Sequence, residues 1–293
     1  MIRFLAWLML PLMAAAASAA SAAPFKSDRI AVEVKGSGPD VVLIPGLSSS
    51  PRVWDTTVAA LPGYRYHIVH VAGFDGLAAG ANAKGPVVAP VAEEIARYAA
   101  EAHLNKPAIV GHSMGGTLAM MVAARHPEIP SRVMVVDMLP FLGALFAGPN
   151  ATPEQLAKVA EQVKAGIATS TGEARRARTE QTIAGMVKTE AMRPVAIGHS
   201  LASDQAVSAE AMANLITTDL RPELPKIKVP MTVLWVVPTG APLTKEQLAG
   251  FYKLSFAGVP QAVLTYVPDS AHFIMWDNPA VFRAELKAFL AGK

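Results

Sequence analysis

The stretch AIVGHSMGGTLAMMVAARH, residues 108–126, passes from β-branched residues into a helical pattern through Gly111, His112, Ser113, Met114 and Gly115. A strand that runs straight into a helix needs a very tight turn, and the residue at its tip is held in a strained conformation with its side chain exposed. Only glycine leaves room for strand and helix to close on either side of that residue. The G-x-S-x-G spacing therefore presents Ser113 as a candidate nucleophile. A second GHS, in IGHSLA (197–202), follows the helical AMRPVAI and lacks the second glycine, so Ser200 has no such turn to sit on.

Short apolar runs of strand length lie on both sides of this turn. RIAVEVKGSG (29–38) reads as an early hairpin strand and DVVLIPG (40–46) as a buried central strand. YRYHIVHVAG (64–73), PAIVGHS (107–113), RVMVVDM (132–138), PMTVLWVV (230–237) and QAVLTYVP (261–268) read as further strands. Helical patterns at 90–104, 116–126 and 279–291 lie between or after them, the last opening with a proline in its first turn. Alternating strands and helices predict an α/β fold with a mostly parallel central sheet covered by helices on both faces. The alternation stops from Phe141 to Pro225, where TPEQLAKVAEQVKAG and GEARRARTEQTIAGMVKTEAM are helical and the first begins with a Thr-Pro-Glu start signal. A helical cap inserted at about 142–225, between two core strands, is the expectation.

The chain of 293 residues begins MIRFLAWLMLPLMAAAASAASAAP, in which Arg3, an apolar run and small residues follow one another in the order of an export signal. Cleavage is expected after Ala19 or Ala22, with Ala22 preferred, so that 1–22 is a signal peptide and 23–293 is one α/β domain, periplasmic or secreted. The apolar run is too short for a stable span, and no membrane insertion is expected after cleavage. The formal charge of +3 becomes +2 without Arg3 (3 − 1). With no Lys/Arg cluster interleaved with aromatics, a nucleic-acid partner is excluded. There is no cysteine, which excludes a thiolate nucleophile, a disulfide framework and a Cys-ligated zinc site. No spacing of His and carboxylates suits another metal.

An acyl-transfer serine needs N–H donors for the developing oxyanion, one from the residue after it and one from a loop that follows an earlier strand. Met114 is the first candidate, and Leu47, in LIPGLSSSPRVW (43–54), is the second. The base is a histidine, and there are seven. His67 and His70 lie in a strand pattern, His103 and His126 near helix ends, His112 inside the turn and His199 in the cap segment. His272 stands apart in VPDSAHFIMWDNP (267–279), a loop between the last strand and the last helix.

With VVLIPGLSSSPRVW, VGHSMGG and AHFIMWDNPAVF in this order, the sequence resembles the α/β-hydrolase superfamily, specifically its capped serine esterase-like members, over nearly all of residues 23–293. The resemblance implies an α/β-hydrolase fold and the chain order Ser, acid, His. It also implies cleavage of small to medium hydrophobic esters or lactones through an acyl-enzyme, with a small-molecule ester as substrate and no cofactor. Ser113 is then the nucleophile, His272 the base, and Leu47 and Met114 the oxyanion hole. The sequence departs from the pattern twice. Pro45 stands where most relatives have histidine, and PTGAPLTKEQL follows MTVLWVV without an acidic residue before Glu246. The acid falls to Asp137, at the end of VMVVD, with Asp269, Asp204, Asp219 and a neutral orienter such as Thr239 left open. Phe141, Leu142, Phe146, Met186, Met192 and Met212 in the cap region read as core, with an acyl-pocket wall as the alternative. Carbon–carbon bond hydrolysis and cofactor-free perhydrolysis use the same serine arrangement, and the missing acid also admits a non-catalytic binding protein.

Overall fold

Seven apolar runs rich in β-branched residues form one sheet in the computed structural model, which describes residues 25–240 and 242–292. The expected signal segment 1–22 lies outside the described residues. The strands are β1 (Ile30–Gly36), β2 (Asp40–Ile44), β3 (Arg65–Val71), β4 (Ala108–His112), β5 (Arg132–Val136), β6 (Met231–Trp235) and β7 (Ala262–Tyr266). Their order is β1-β3-β2-β4-β5-β6-β7, parallel throughout except for β1 against β3. The mostly parallel, helix-covered sheet expected from the alternation is present.

One expectation changes. RIAVEVKGSG does not form a hairpin with the strand that follows it, because β1 pairs with β3 while β2 crosses to the far side of β3. Burial explains the exchange. All five residues of β2 are buried, which suits a place between two parallel neighbours, whereas in β1 only Ile30 is buried and the rest are half-buried or exposed, which suits an edge.

Side-chain alternation divides the core in two. Val42 and Ile44 of β2 join Ile109, Val133 and Val135 on one face, under Ile95 and Leu118 from the helices Val88–Glu101 and Met114–Arg125. Val41 and Leu43 join Val110, Met134 and Val136 on the other, under Trp54 and the C-terminal helix residues Phe282 and Leu286. Each fully buried Val, Leu or Ile contributes about 1.5–3 kcal/mol relative to exposure.

Between β5 and β6 the chain forms helices Ala144–Ala147, Pro153–Ala168, Gly172–Met186, Arg193–Ala202 and Gln205–Thr217. Thr152 and Gln155 exchange side-chain and backbone hydrogen bonds in a capping box that starts the second of these, with Pro153 in its first turn. Phe141, Leu156, Ala160, Ala213 and Ile216 form a small core for this insertion, with Met212 against it. Met186 and Met192 pack on the main core, whereas Phe146 is exposed. Ser200 lies within the helix Arg193–Ala202, away from any strand-to-helix turn.

Three histidines, His67, His112 and His199, are buried in this frame. Burial lowers the pKa of each below the usual 6.5, in His67 against the opposing pull of Asp40, whose carboxylate lies 2.9 Å from Nε2. The unfolded chain therefore takes up these protons first. Stability is expected to be complete above pH 6.5 and to fall as the pH drops below it, by up to about 1.4 kcal/mol per pH unit for each histidine. Thermal melts on either side of pH 6.5 check this, and a melting temperature that stays level under acidification contradicts it.

Candidate active site

Ser113 sits at the junction of β4 and the helix Met114–Arg125 with φ 54° and ψ −123°. A β-carbon on Gly111 would lie 2.0 Å from the Gly115 carbonyl oxygen, and one on Gly115 would lie 2.2 Å from that of Ile44. Both contacts are with backbone, so neither neighbour can yield, and the two glycines are required by the close approach of helix, β4 and β2. The Ser113 main chain is fully engaged. Its N–H donates to the Val136 carbonyl at 2.9 Å, and its carbonyl accepts from Gly116 N–H at 2.7 Å. Strain at the tip is thus held by hydrogen bonds on both sides.

The loop after β2 closes on this turn. A β-carbon on Gly46 would stand 3.0 Å from Ser113 Cβ and 3.1 Å from His112 Nδ1. Leu47 follows, half-buried, and Ser48 adopts φ 53°. Among the described residues, neither the Leu47 nor the Met114 N–H has a hydrogen-bond partner. Two unengaged backbone donors therefore flank the serine, as a site for a developing anion requires.

Asp137 follows β5 with φ 52°, its N–H donating to the Leu234 carbonyl at 2.8 Å. Its Oδ2 lies 2.6 Å from His272 Nδ1, and its Oδ1 accepts from the Val236 N–H and the Tyr252 hydroxyl, each at 3.3 Å. An ionised carboxylate only accepts, so this bond is donated by His272 Nδ1–H, which in the neutral imidazole leaves the lone pair on Nε2. Tyr252 comes from the helix Lys245–Ser255 and is buried. Burial and the neighbouring Asp137 push its phenol well above the ordinary value, so it remains a donor to the carboxylate across the working range.

His272 is fixed through its own loop. Ala271 N–H donates to Asp277 Oδ2 at 2.9 Å, and the buried His112 donates from Nε2 to the His272 carbonyl at 3.0 Å. Burial, then the neighbouring His272, holds His112 well below pH 6.5, so it is neutral and keeps this donor proton. The residue before Ser113 thus ties the residue that meets Asp137. The C-terminal ends of β4 and β5, adjacent in the sheet, and the loop after β7 converge here: His272 meets Asp137 directly and is tied through its carbonyl to His112, the residue before Ser113.

The other candidate acids are engaged elsewhere. Asp204 accepts from Ala206 and Val207 N–H as the cap of the helix Gln205–Thr217, Asp219 forks onto Arg221, and Asp269 is largely exposed beside Lys188. Thr239 lines an open cleft with Lys188, Arg193, Val237 and Ser270, between the insertion and the His272 loop. Sequence reading missed Tyr252, which lies 115 positions from Asp137 in an ordinary amphipathic helix and carries no local signal of its role. The His112 bond was missed as well, although the position of His112 beside Ser113 was visible.

A sequence profile described as the alpha/beta hydrolase family matches residues 41–285. A pimeloyl-[acyl-carrier protein] methyl ester esterase of Vibrio atlanticus is 27% identical over 215 residues, which cover 71% of this chain and 80% of the relative. Among solved structures, an esterase from Exiguobacterium antarcticum superposes with a TM-score of 0.73 at 20% identity, covering 89% of this chain and 95% of the other. An enol-lactonase from Burkholderia xenovorans gives 0.69 at 19% identity, covering 89% and 96%.

Proposed function

The chain belongs to the alpha/beta hydrolase family, and we propose that within it the protein is a serine hydrolase of carboxylic esters. One observation carries the reading: His272 Nδ1 lies 2.6 Å from the Asp137 carboxylate, beside a serine held at φ 54° between close-packed glycines. The imidazole has its orienting acid on one nitrogen and its lone pair on the other, the arrangement a general base needs.

In the first half-reaction His272 Nε2 takes the Ser113 hydroxyl proton as Oγ bonds to the acyl carbon. The carbonyl electrons move to oxygen, where the Leu47 and Met114 N–H groups receive the negative charge. Collapse breaks the ester C–O bond, and His272 returns its proton to the departing alcohol. Water then attacks the acyl-enzyme with the same proton path, freeing the acid and Ser113. The Asp137 carboxylate orients the ring and stabilises the imidazolium that forms. No step calls for a cofactor.

Small to medium hydrophobic esters and lactones are the proposed substrates. The esterase and lactonase names among the relatives support that class. With residues 1–22 read as an export signal, these substrates lie in the periplasm or outside the cell. The test is intact mass after exposure to a fluorophosphonate, followed by turnover of p-nitrophenyl esters of increasing acyl length. A single adduct on the parent and none on Ser113→Ala is expected. A parent that takes no adduct and turns over no ester overturns the reading and leaves a binding protein.

A further inference from the structure

Ser48 stands directly after Leu47 and holds the left-handed conformation, φ 53°. That conformation crowds the β-carbon of any residue but glycine, and it persists only where surrounding groups hold it. One restraint is local, the Ser49 N–H to the Gly46 carbonyl at 3.2 Å. The other comes from the insertion. Ser48 Oγ donates to Ser208 Oγ at 2.8 Å across 160 positions of sequence. Ser208 is 8% exposed and donates its own proton to the Asp204 carbonyl at 2.7 Å, so its oxygen is left to accept from Ser48.

Ser208 is a firm anchor because its helix is joined to the core. Asp204 N–H donates to the Gly73 carbonyl at 2.7 Å, Asp75 N–H to Ser203 Oγ at 3.0 Å, and Gly76 N–H to the Ala202 carbonyl at 3.1 Å. Asn214, farther along the same helix, accepts from Val87 N–H at 2.7 Å and caps the neighbouring core helix. A β-carbon on Gly73 would meet Val207 at 2.8 Å, so the helix sits hard against the loop after β3. The segment Gly46–Ser48 is therefore held at one end by contact with Ser113 and at the other by the insertion.

We propose that Ser48 and Ser208 form a positioning pair through which the insertion's last helix sets the direction of the Leu47 N–H toward the oxyanion. Leu47 is the residue between the two fixed points, and its N–H direction follows from the backbone angles on either side. The inference rests on the serine hydrolase reading above. It adds that the helical insertion takes part in the chemistry through the oxyanion loop as well as covering the site.

Ser48→Ala, Ser208→Ala and the double variant test it on an aryl ester and on the matching thionoester. Sulfur is larger than oxygen and a weaker acceptor, so a thiono transition state gains little from well-aimed N–H donors. For the ester, each single variant is expected to lower kcat about 10-fold with KM nearly unchanged, and the double variant no further, since both remove one interaction. The preference for ester over thionoester shrinks by the same factor, and the melting temperature stays close to the parent's. Ser48→Gly accepts the backbone angle but lacks the hydroxyl, and is expected to show the same loss. Equal falls on both substrates, additive losses in the double variant, or full preference retained in Ser48→Gly overturn the pair. A parent without a fluorophosphonate adduct sinks the hydrolase reading instead, so the two failures are distinguishable.

Discussion

Replacing Ser113 with alanine is expected to lower kcat by about 10³- to 10⁶-fold while leaving the fold intact. The structural role of this position resides in its main chain, through bonds to Val136, Gly116 and Thr117, and the alanine β-carbon occupies the space of the serine one. Only Oγ is lost, and with it the covalent intermediate. The residual rate reports the unengaged Leu47 and Met114 donors acting on bound substrate with water as the nucleophile. Steady-state kinetics together with a thermal melt check both halves. A variant that keeps a tenth of the parent activity would remove Ser113 from the reaction.

Asp137→Asn is the second large effect, about 10⁴-fold in kcat, on the precedent of a triad acid exchanged for its amide. The amide has the shape of the carboxylate, so the cost is electronic. An NH₂ facing His272 Nδ1 forces the proton onto Nε2, the atom that must accept the serine proton, while an amide oxygen there leaves the imidazolium without a countercharge. Asp269→Asn is the matched control. Asp269 lies only three positions from His272 in sequence, yet its side chain is 87% exposed and pairs with Lys188, so activity within about twofold of the parent is expected. Measured side by side, the two variants decide between the distant and the near carboxylate. A larger loss in Asp269→Asn would reverse the assignment.

Each stage of the path from sequence to site was legible to a different depth. Local chemistry determined the seven strands, the helical insertion and the turn at Ser113, because β-branched runs, capping residues and paired glycines express their preferences over a few neighbouring positions. The position of Leu47 after Gly46, and of His272 in its loop, could be read at the same level. The partner of β1 could not, because sheet order depends on which strand is buried on both faces, and that comparison spans the whole chain.

The same limit governed the acid. From sequence, Asp137 was one carboxylate among four, since nothing within a few residues of it records that its oxygen meets a ring 135 positions away. Tyr252 and Ser208 were illegible for the same reason, since each meets a partner more than a hundred positions away along the chain. What the sequence by itself determined was the scaffold and the serine turn, where backbone geometry is a short-range matter. Only the tertiary structure decided which carboxylate faces the imidazole and which part of the insertion hydrogen-bonds to the loop after β2, because hydrogen bonds act over about 3 Å and only folding brings such distant residues that close.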